Sequence, residues 1–471
     1  MSSQDPADTA ALAPADGLPV PRRYWAIAAI ILGITITVLD STIVNVALPS
    51  MARDFHTSDA ASIWVVNSYQ VAILIALLPL ASLGEIVGYR RVSQAGLIVF
   101  TAASLACALA PSLAALSIAR VVQGLGAAGI MSVNSALVRF TYPHRLLGRA
   151  IGINAFAVAV AGAAGPTIAS AILAVAHWRW LFAVNVPLGI LTFLMAMYAF
   201  PETDRSPRQL NYVGTLLQAG TFAGLIGGLQ SLAHDSVTAL ALMEIGAGCV
   251  LAAVLVHHEM DRPAPLIPFD LLRVRLFSLS VITSICSFMA ASAGIIALPF
   301  EIQRLGHTAA ATGLLMTPWA VGVAVAAPIA GRLADRYPAG ILGSIGLVTM
   351  AAGLALLLQL PPHATAGDLI WRMGLCGVGF GFFQSPNNRT LIASAPRARA
   401  GAAGGMLATA RLLGQTLGAA GVAIVFRTYP GRGSNLALAI AAGIALAAAV
   451  VSVTRLAGNP GGSIPNESVR A

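Results

Sequence analysis

The chain has 471 residues, 57% of them hydrophobic and only 10% charged, with a mean hydropathy of +0.82. A water-soluble domain is about 25% charged and about 45–50% apolar, so no soluble core could hide this much apolar surface, and the chain reads as a membrane protein. The formal net charge of +9 would point to nucleic acid in a soluble protein, but this chain contains no lysine and its arginines sort by loop, so nucleic acid is excluded as a partner and the charge is a matter of topology.

Residues 1–22, rich in Ala, Pro and Asp, lack the basic start and apolar run of a cleaved signal and read as a disordered cytoplasmic tail. Stretches apolar enough to span a bilayer, about 20 residues each, then follow at 24–48, 62–82, 92–111, 114–138, 148–174, 178–200, 211–232, 238–257, 277–299, 309–330, 340–360, 367–391, 401–426 and 435–455. Of the 27 arginines, 19 fall on the side of both termini, five on the opposite side and three inside spans. Loops retained in the cytoplasm carry the excess of Arg, which puts both termini there. Cys107, Cys249, Cys286 and Cys376 all lie in apolar stretches without metal-ligand spacing, so neither a disulfide nor a metal site is expected.

An internal repeat divides the spans. Arg120, Gly124, Gly126, Ser132 and Asn134 recur as Arg372, Gly377, Gly379, Ser385 and Asn387, at an offset of 253 with one residue of slip at the Arg. Gly148, Gly152 and Gly165 match Gly401, Gly405 and Gly418 at the same offset. The expected organisation is a tail (1–22), a six-helix half (23–205), two additional central helices (206–260), a linker (261–276), a second six-helix half (277–456) and a tail (457–471). Parallel halves of this kind place a transport site at the midplane between them.

Ionisable residues inside spans are expensive and mark function. Asp40 lies mid-span in WAIAAIILGITITVLDSTIVNVALP, and Arg120 is the cation best suited to pair with it. A carboxylate that takes up and releases protons must have its anion destabilised in one state and supported in another; dehydration and arginine pairing supply the two conditions. Glu244, Arg372 and Arg411 are secondary candidates. Arg372 mirrors Arg120, whereas Arg411 stands where the first half has Val158 and calls for an anionic group or a carboxylate from another helix. Trp64, Tyr69, Phe156, Phe382 and Phe383 are candidates for stacking on a substrate in the cavity. There is no phosphate-binding GxxxxGK[ST] loop, and without lysine there can be none, so ATP chemistry is excluded.

The chain resembles the major facilitator superfamily, and within it the fourteen-helix drug:proton antiporters. LDSTIVNVALP around Asp40 is similar to the first-helix signature of that branch, and WRWLFAVNVPLG at 178–189 is typical of it. ASLGEIVGYRR resembles the loop motif of the family, with Ala81 for its first Gly, Glu85 for its Asp and Tyr89 for its Arg, followed by Arg90 and Arg91; GRLADRYP is a closer copy, with Gly331, Asp335 and Arg336 but Pro338 for the second Gly. RVVQGLGAA resembles the fourth-helix motif. GAAGP, holding Gly162, Gly165 and Pro166, resembles the antiporter motif, with Ala169 and Ser170 in place of a Gly pair.

The resemblance implies an all-α polytopic membrane fold of fourteen helices that acts as a monomer in a bacterial inner membrane. It implies an exporter that is not an enzyme, needs no cofactor and is driven by the proton gradient. Its partners would be lipids, protons and a small molecule that is amphipathic and cationic; the alternatives are a proton-coupled transporter of a defined metabolite such as a siderophore or amino acid, and a membrane sensor that does not transport. Glu85, Gly88, Arg90, Arg91, Gly331, Asp335 and Arg336 would form a cytoplasmic gate.

Overall fold

The computed structural model describes residues 17–143, 146–203, 211–233, 238–260, 269–361, 364–395 and 399–455. Residues 1–16 of the expected first tail, the whole of the tail at 457–471 and the first half of the linker, 261–268, lie outside these residues, and α1 already begins at Arg22. The described chain is helical with no strand: α1 Arg22–Asp54, α2 Asp59–Ser62, α3 Trp64–Val87, α4 Tyr89–Ala108, α5 Leu113–Thr141, α6 Leu147–Val175, α7 Trp180–Ala183, α8 Asn185–Ala199, α9 Tyr212–Ala233, α10 Thr238–Met260, α11 Phe269–Leu272, α12 Arg275–Arg304, α13 Ala309–Leu333, α14 Ala339–Leu357, α15 Ala366–Ala393, α16 Ala400–Thr428 and α17 Gly433–Thr454. Short α2 and α7 continue into α3 and α8, and thirteen helices among the described residues are long and apolar enough to cross a membrane. The fourteenth span is α15, whose 28 residues outlast the hydrocarbon core although Asp368, Arg372 and Arg389 lower its hydropathy.

The repeat is written into the packing. In the first half α5 lies against α3 and α4, α1 against α6 and α8, and α4 against α8. In the second, α15 lies against α13 and α14, α12 against α16 and α17, and α14 against α17. Paired glycines permit the same close approaches: a Cβ at Gly124 would strike the Tyr69 carbonyl of α3 and one at Gly377 the Trp319 carbonyl of α13, while Gly126 abuts Phe100 of α4 as Gly379 abuts Met350 of α14. The added helices α9 and α10 pair through Gly224 and Gly248, and α9 rests against α3 and α16.

The halves meet unevenly along their length. The side chains that bridge them lie mostly away from the termini: Arg53 bonds Gln303 at 2.9 Å, and Thr167 on α6 bonds Thr317 on α13 at 2.8 Å. One buried core cluster is continuous across both halves on that side, including Ile43, Phe182, Ile296 and Val422. Toward the termini the core divides into one cluster for each half, joined where Leu412 of α16 packs with Leu74 and Leu77 of α3.

Candidate functional site: a buried charge network

Asp40 and Arg120 form an ion pair with both side chains out of contact with solvent. Five helices place their partners. Arg120 Nη1 also donates to Gln123 Oε1 at 2.6 Å, Arg120 Nε donates to the Val65 carbonyl at 2.9 Å, and the Tyr69 ring lies 4.0 Å from the guanidinium carbon. Asp40 Oδ1 accepts from Asn185 Nδ2 at 2.7 Å and Gln123 Nε2 at 3.0 Å. Gln123 Nε2 donates in turn to Ser104 Oγ at 2.8 Å, and Tyr69 Oη donates to the Thr37 carbonyl at 3.0 Å.

Burying two charges costs several kcal/mol each, which is tolerable only where attraction and hydrogen bonds offset the lost water. Here the carboxylate accepts from two amide donors, Gln123 and Asn185, besides Arg120, and the cation lies over an aromatic face that favours it. Protonating Asp40 would remove the charge that balances Arg120, leaving a buried cation that must find water or another partner. The network therefore ties the protonation of α1 to the packing of α3, α4, α5 and α8.

The remaining sequence candidates fall in several places. Tyr69 and Phe383 are fully buried within their own halves, under Arg120 and against α14 respectively, so neither lines an open cavity, because packing against these neighbours takes their whole surface. Phe156 is largely exposed, and Phe382 and Trp64 are half-buried. Arg372 does not mirror Arg120: it bonds Asp368 at 3.1 Å one turn earlier on α15 and lies over Trp371, near the end away from the termini. Glu244 accepts from Ser231 at 2.7 Å inside the α9–α10 pair. Arg411 is half-buried, makes no hydrogen bond or ion pair among the described residues, and has its Nε sealed from solvent.

Gly165 and Pro166 occupy a junction. A Cβ at Gly165 would run into Thr42 of α1, and the Pro166 carbonyl lies against Gly313 of α13 in the other half, whereas Gly162 has its nearest neighbour, Val38, at 3.9 Å. At the termini side, Gly88 turns the chain at φ +102° with Tyr89 N bonded to Thr203, Arg90 donates to the Met197 carbonyl at 2.7 Å, Glu85 and Arg91 are exposed, and Asp335 pairs with Arg389 of its own half while Gly331 sits near Ser385 and Arg336 is exposed.

Sequence reasoning missed Gln123, Ser104 and Asn185. Gln123 is one turn beyond Arg120 and shares its helix face, a usable signal; Asn185, in FAVNVP, reaches Asp40 only through tertiary packing. It missed two more buried polar groups: Glu301, held by Arg304 and Ser434 at 2.6 and 2.7 Å, and Arg455, held by Asn387, Ser280 and Ser452.

Two like halves of six spanning helices, with a charge pair buried at mid-membrane and a seam between the halves, define a membrane transporter. The chain belongs to the Major Facilitator Superfamily, whose model matches residues 30–419 and, in a second match, 279–469. It is 50% identical over 445 residues to the uncharacterized transporter YebQ of Escherichia coli (strain K12), covering 94% of this chain and 97% of that one. It is 32% identical over 395 residues to the multidrug resistance protein Stp of Mycobacterium tuberculosis (strain CDC 1551 / Oshkosh), covering 82% of this chain and 73% of Stp. Among solved structures, a D-xylose–proton symporter superposes with a TM-score of 0.67 at 16% identity, over 91% of this chain and 97% of its own, a likeness of fold alone.

Proposed function

We propose that this transporter exports amphipathic compounds across the bacterial cytoplasmic membrane in exchange for protons, by alternating access. The observation that carries the reading is the Asp40–Arg120 network: a carboxylate held away from water at mid-membrane, whose proton changes the balance of a buried arginine and so the packing of five helices. The relatives named as multidrug resistance proteins support export of foreign compounds. The excess of loop arginines on the termini side supports cytoplasmic termini. On that orientation the continuous core is the closed outer face, the divided core is the inner side, and the conformation is inward-facing. A proton entering gains about 2.3 kcal/mol for each 100 mV of membrane potential, enough to drive a compound uphill by several tens-fold.

The test uses everted membrane vesicles containing the full chain, with a respiration-driven pH gradient reported by an acridine dye. Adding a panel of amphipathic drugs and dyes should collapse part of the gradient for those that are transported, and Asp40→Asn should abolish the collapse although the protein is present at normal level. Gradient collapse of normal size with Asp40→Asn would remove Asp40 from coupling.

A further inference from the structure

Resting on the transport reading above, we propose that the cargo carries an anionic group, a carboxylate, sulfonate or phosphate, and that Arg411 with Gln415 binds it in the gap between the halves.

The direction of Arg411 follows from the neighbours of α16, since successive residues turn about 100° around a helix. Gly414 and Gly418 abut the α12 backbone at Ile285 and Met289. Gly405 faces Leu78 of α3, and Leu412 joins the core cluster of Leu74 and Leu77 on that helix. Arg427 reaches the Leu232 carbonyl of α9. The remaining sector, between α12 and α3 and opposite α9, carries Gly404, Arg411 and Gln415 within about 40° of one another. It faces the gap between the halves, and a Cβ at Gly404 would meet no atom within 4 Å.

Among the described residues, no carboxylate pairs with Arg411 in that gap. Carboxylates on the spanning helices lie elsewhere: Asp40 is held by Arg120, Asp54 by Arg179 and Trp178, Glu244 by Ser231, Glu259 by Asn211, Glu301 by Arg304 and Asp368 by Arg372, and Glu85 stands exposed at the termini-side end of α3. A guanidinium that is half-buried at mid-membrane with a sealed, unbonded Nε is costly to keep, and an anion offering two oxygens satisfies it in the bidentate geometry that arginine favours. A cationic drug would be repelled at this point. A second observation agrees with this sign of charge. Beyond Arg411 along α16, on the side away from the termini, lies a cavity of about 590 Å³ lined by Arg53, Arg304 and Arg427 and by Asp59, with Glu301 paired to Arg304, so that the cations still outnumber the carboxylates.

The experiment compares two dyes built on the same xanthene skeleton, fluorescein, an anion, and rhodamine 123, a cation. Binding to the purified full chain in neutral detergent is followed by fluorescence anisotropy. Fluorescein should bind the wild type at least tenfold more tightly than rhodamine 123. Arg411→Gln should weaken fluorescein at least tenfold without weakening rhodamine 123, Arg411→Lys should restore part of the loss, and Gln415→Leu should weaken fluorescein by a few-fold. A wild type that prefers rhodamine 123, binding of neither dye, or a fluorescein affinity within twofold in a monodisperse Arg411→Gln sample would overturn the proposal. So would displacement of fluorescein by phosphatidylglycerol added to the micelle, which would make Arg411 a lipid site. Because binding needs no gradient, this result stands apart from coupling: Asp40→Asn should bind fluorescein normally yet fail to accumulate it in energised everted vesicles.

Discussion

The two halves share a helix plan and even their glycine contacts, yet they treat buried charge in opposite ways. In the first half, Asp40 and Arg120 are paired, surrounded by Gln123, Asn185, Ser104 and Tyr69, and fully shielded from water. In the second, the mid-span cation Arg411 has no partner among the described residues, and Arg455 is held by neutral groups of Asn387, Ser280 and Ser452. A saturated network suits a group whose charge is tied to the packing of the helices around it. An unsaturated cation suits a group whose partner arrives and leaves. On the proposed reading, the difference gives proton handling to the first half and cargo recognition to the second, a division that identical packing frames leave open.

The largest expected effect breaks the comparison at its strongest point. Arg120→Met leaves the Asp40 carboxylate buried without its cation and should destabilise the protein by about 3–5 kcal/mol, the usual cost of removing one member of a buried pair. Arg411→Met removes a charge that has no partner and should leave stability unchanged or raised. Thermal unfolding of both variants in the same detergent checks this; equal losses would mean that Arg411 has a structural counter-ion and that the halves are alike after all.

Much of this contrast was legible in the sequence, and the missing part has a physical reason. Hydropathy located the spans because every backbone polar group in lipid must be satisfied within its own helix, so each crossing leaves an unbroken apolar run. The repeat was legible because close helix contacts admit only glycine, as at Gly124 and Gly377. Asp40 and Arg120 were legible because charge is rare in such runs. Their partners were not: Gln123, Ser104 and Asn185 are ordinary polar residues whose meeting depends on how α4, α5 and α8 rotate against α1. Arg372 misled for the same reason in reverse, since the repeat aligned it with Arg120 while Asp368, one turn away on its own helix, already satisfied it.

A middle-sized effect tests whether the seam between the halves is as tight as the seams within them. Gly313→Ala adds a Cβ against the Pro166 carbonyl across the halves, and Gly165→Leu forces Thr42 away within the first half. Overpacking of this kind costs about 1–3 kcal/mol. Gly313→Ala should open the outer face, so that a single cysteine at Thr317, in a cysteine-free background, reacts faster with a membrane-impermeant maleimide added from outside. Gly165→Leu should lower transport while dye binding survives within a few-fold. Gly162→Ala, with its nearest neighbour at 3.9 Å, should change neither reading, and a loss there equal to that at Gly165 would show that the motif acts other than through contact. Asn185→Leu belongs to the same range, since it deletes a hydrogen bond to a charged carboxylate worth about 1.5–3 kcal/mol, and should lower thermal stability without abolishing gradient collapse.

The smallest effect concerns the termini-side loops, where the halves again differ. Asp335, in the α13–α14 turn, pairs with Arg389 of α15, but both side chains are more than half exposed, whereas the corresponding turn of the first half is held mainly by a backbone carbonyl and a hydroxyl, with Arg90 on Met197 and Tyr89 N on Thr203, and only a long, exposed ion pair from Arg90 to Glu202. An exposed ion pair is worth about 0.2–1 kcal/mol and is screened by salt. It also joins elements of one half and so does not itself latch the halves together. Asp335→Asn should therefore shift thermal stability only slightly, and the shift should vanish at about 1 M salt, where the screening length falls to about 3 Å. The first-half turn should depend less on salt, because Arg90 bonds the Met197 carbonyl at 2.7 Å and its ion pair with the exposed Glu202 is long, at 3.9 Å. A large, salt-independent loss of transport in Asp335→Asn would mean that this carboxylate takes a partner in the opposite half during the cycle, and would make the second loop the gate that the first is not.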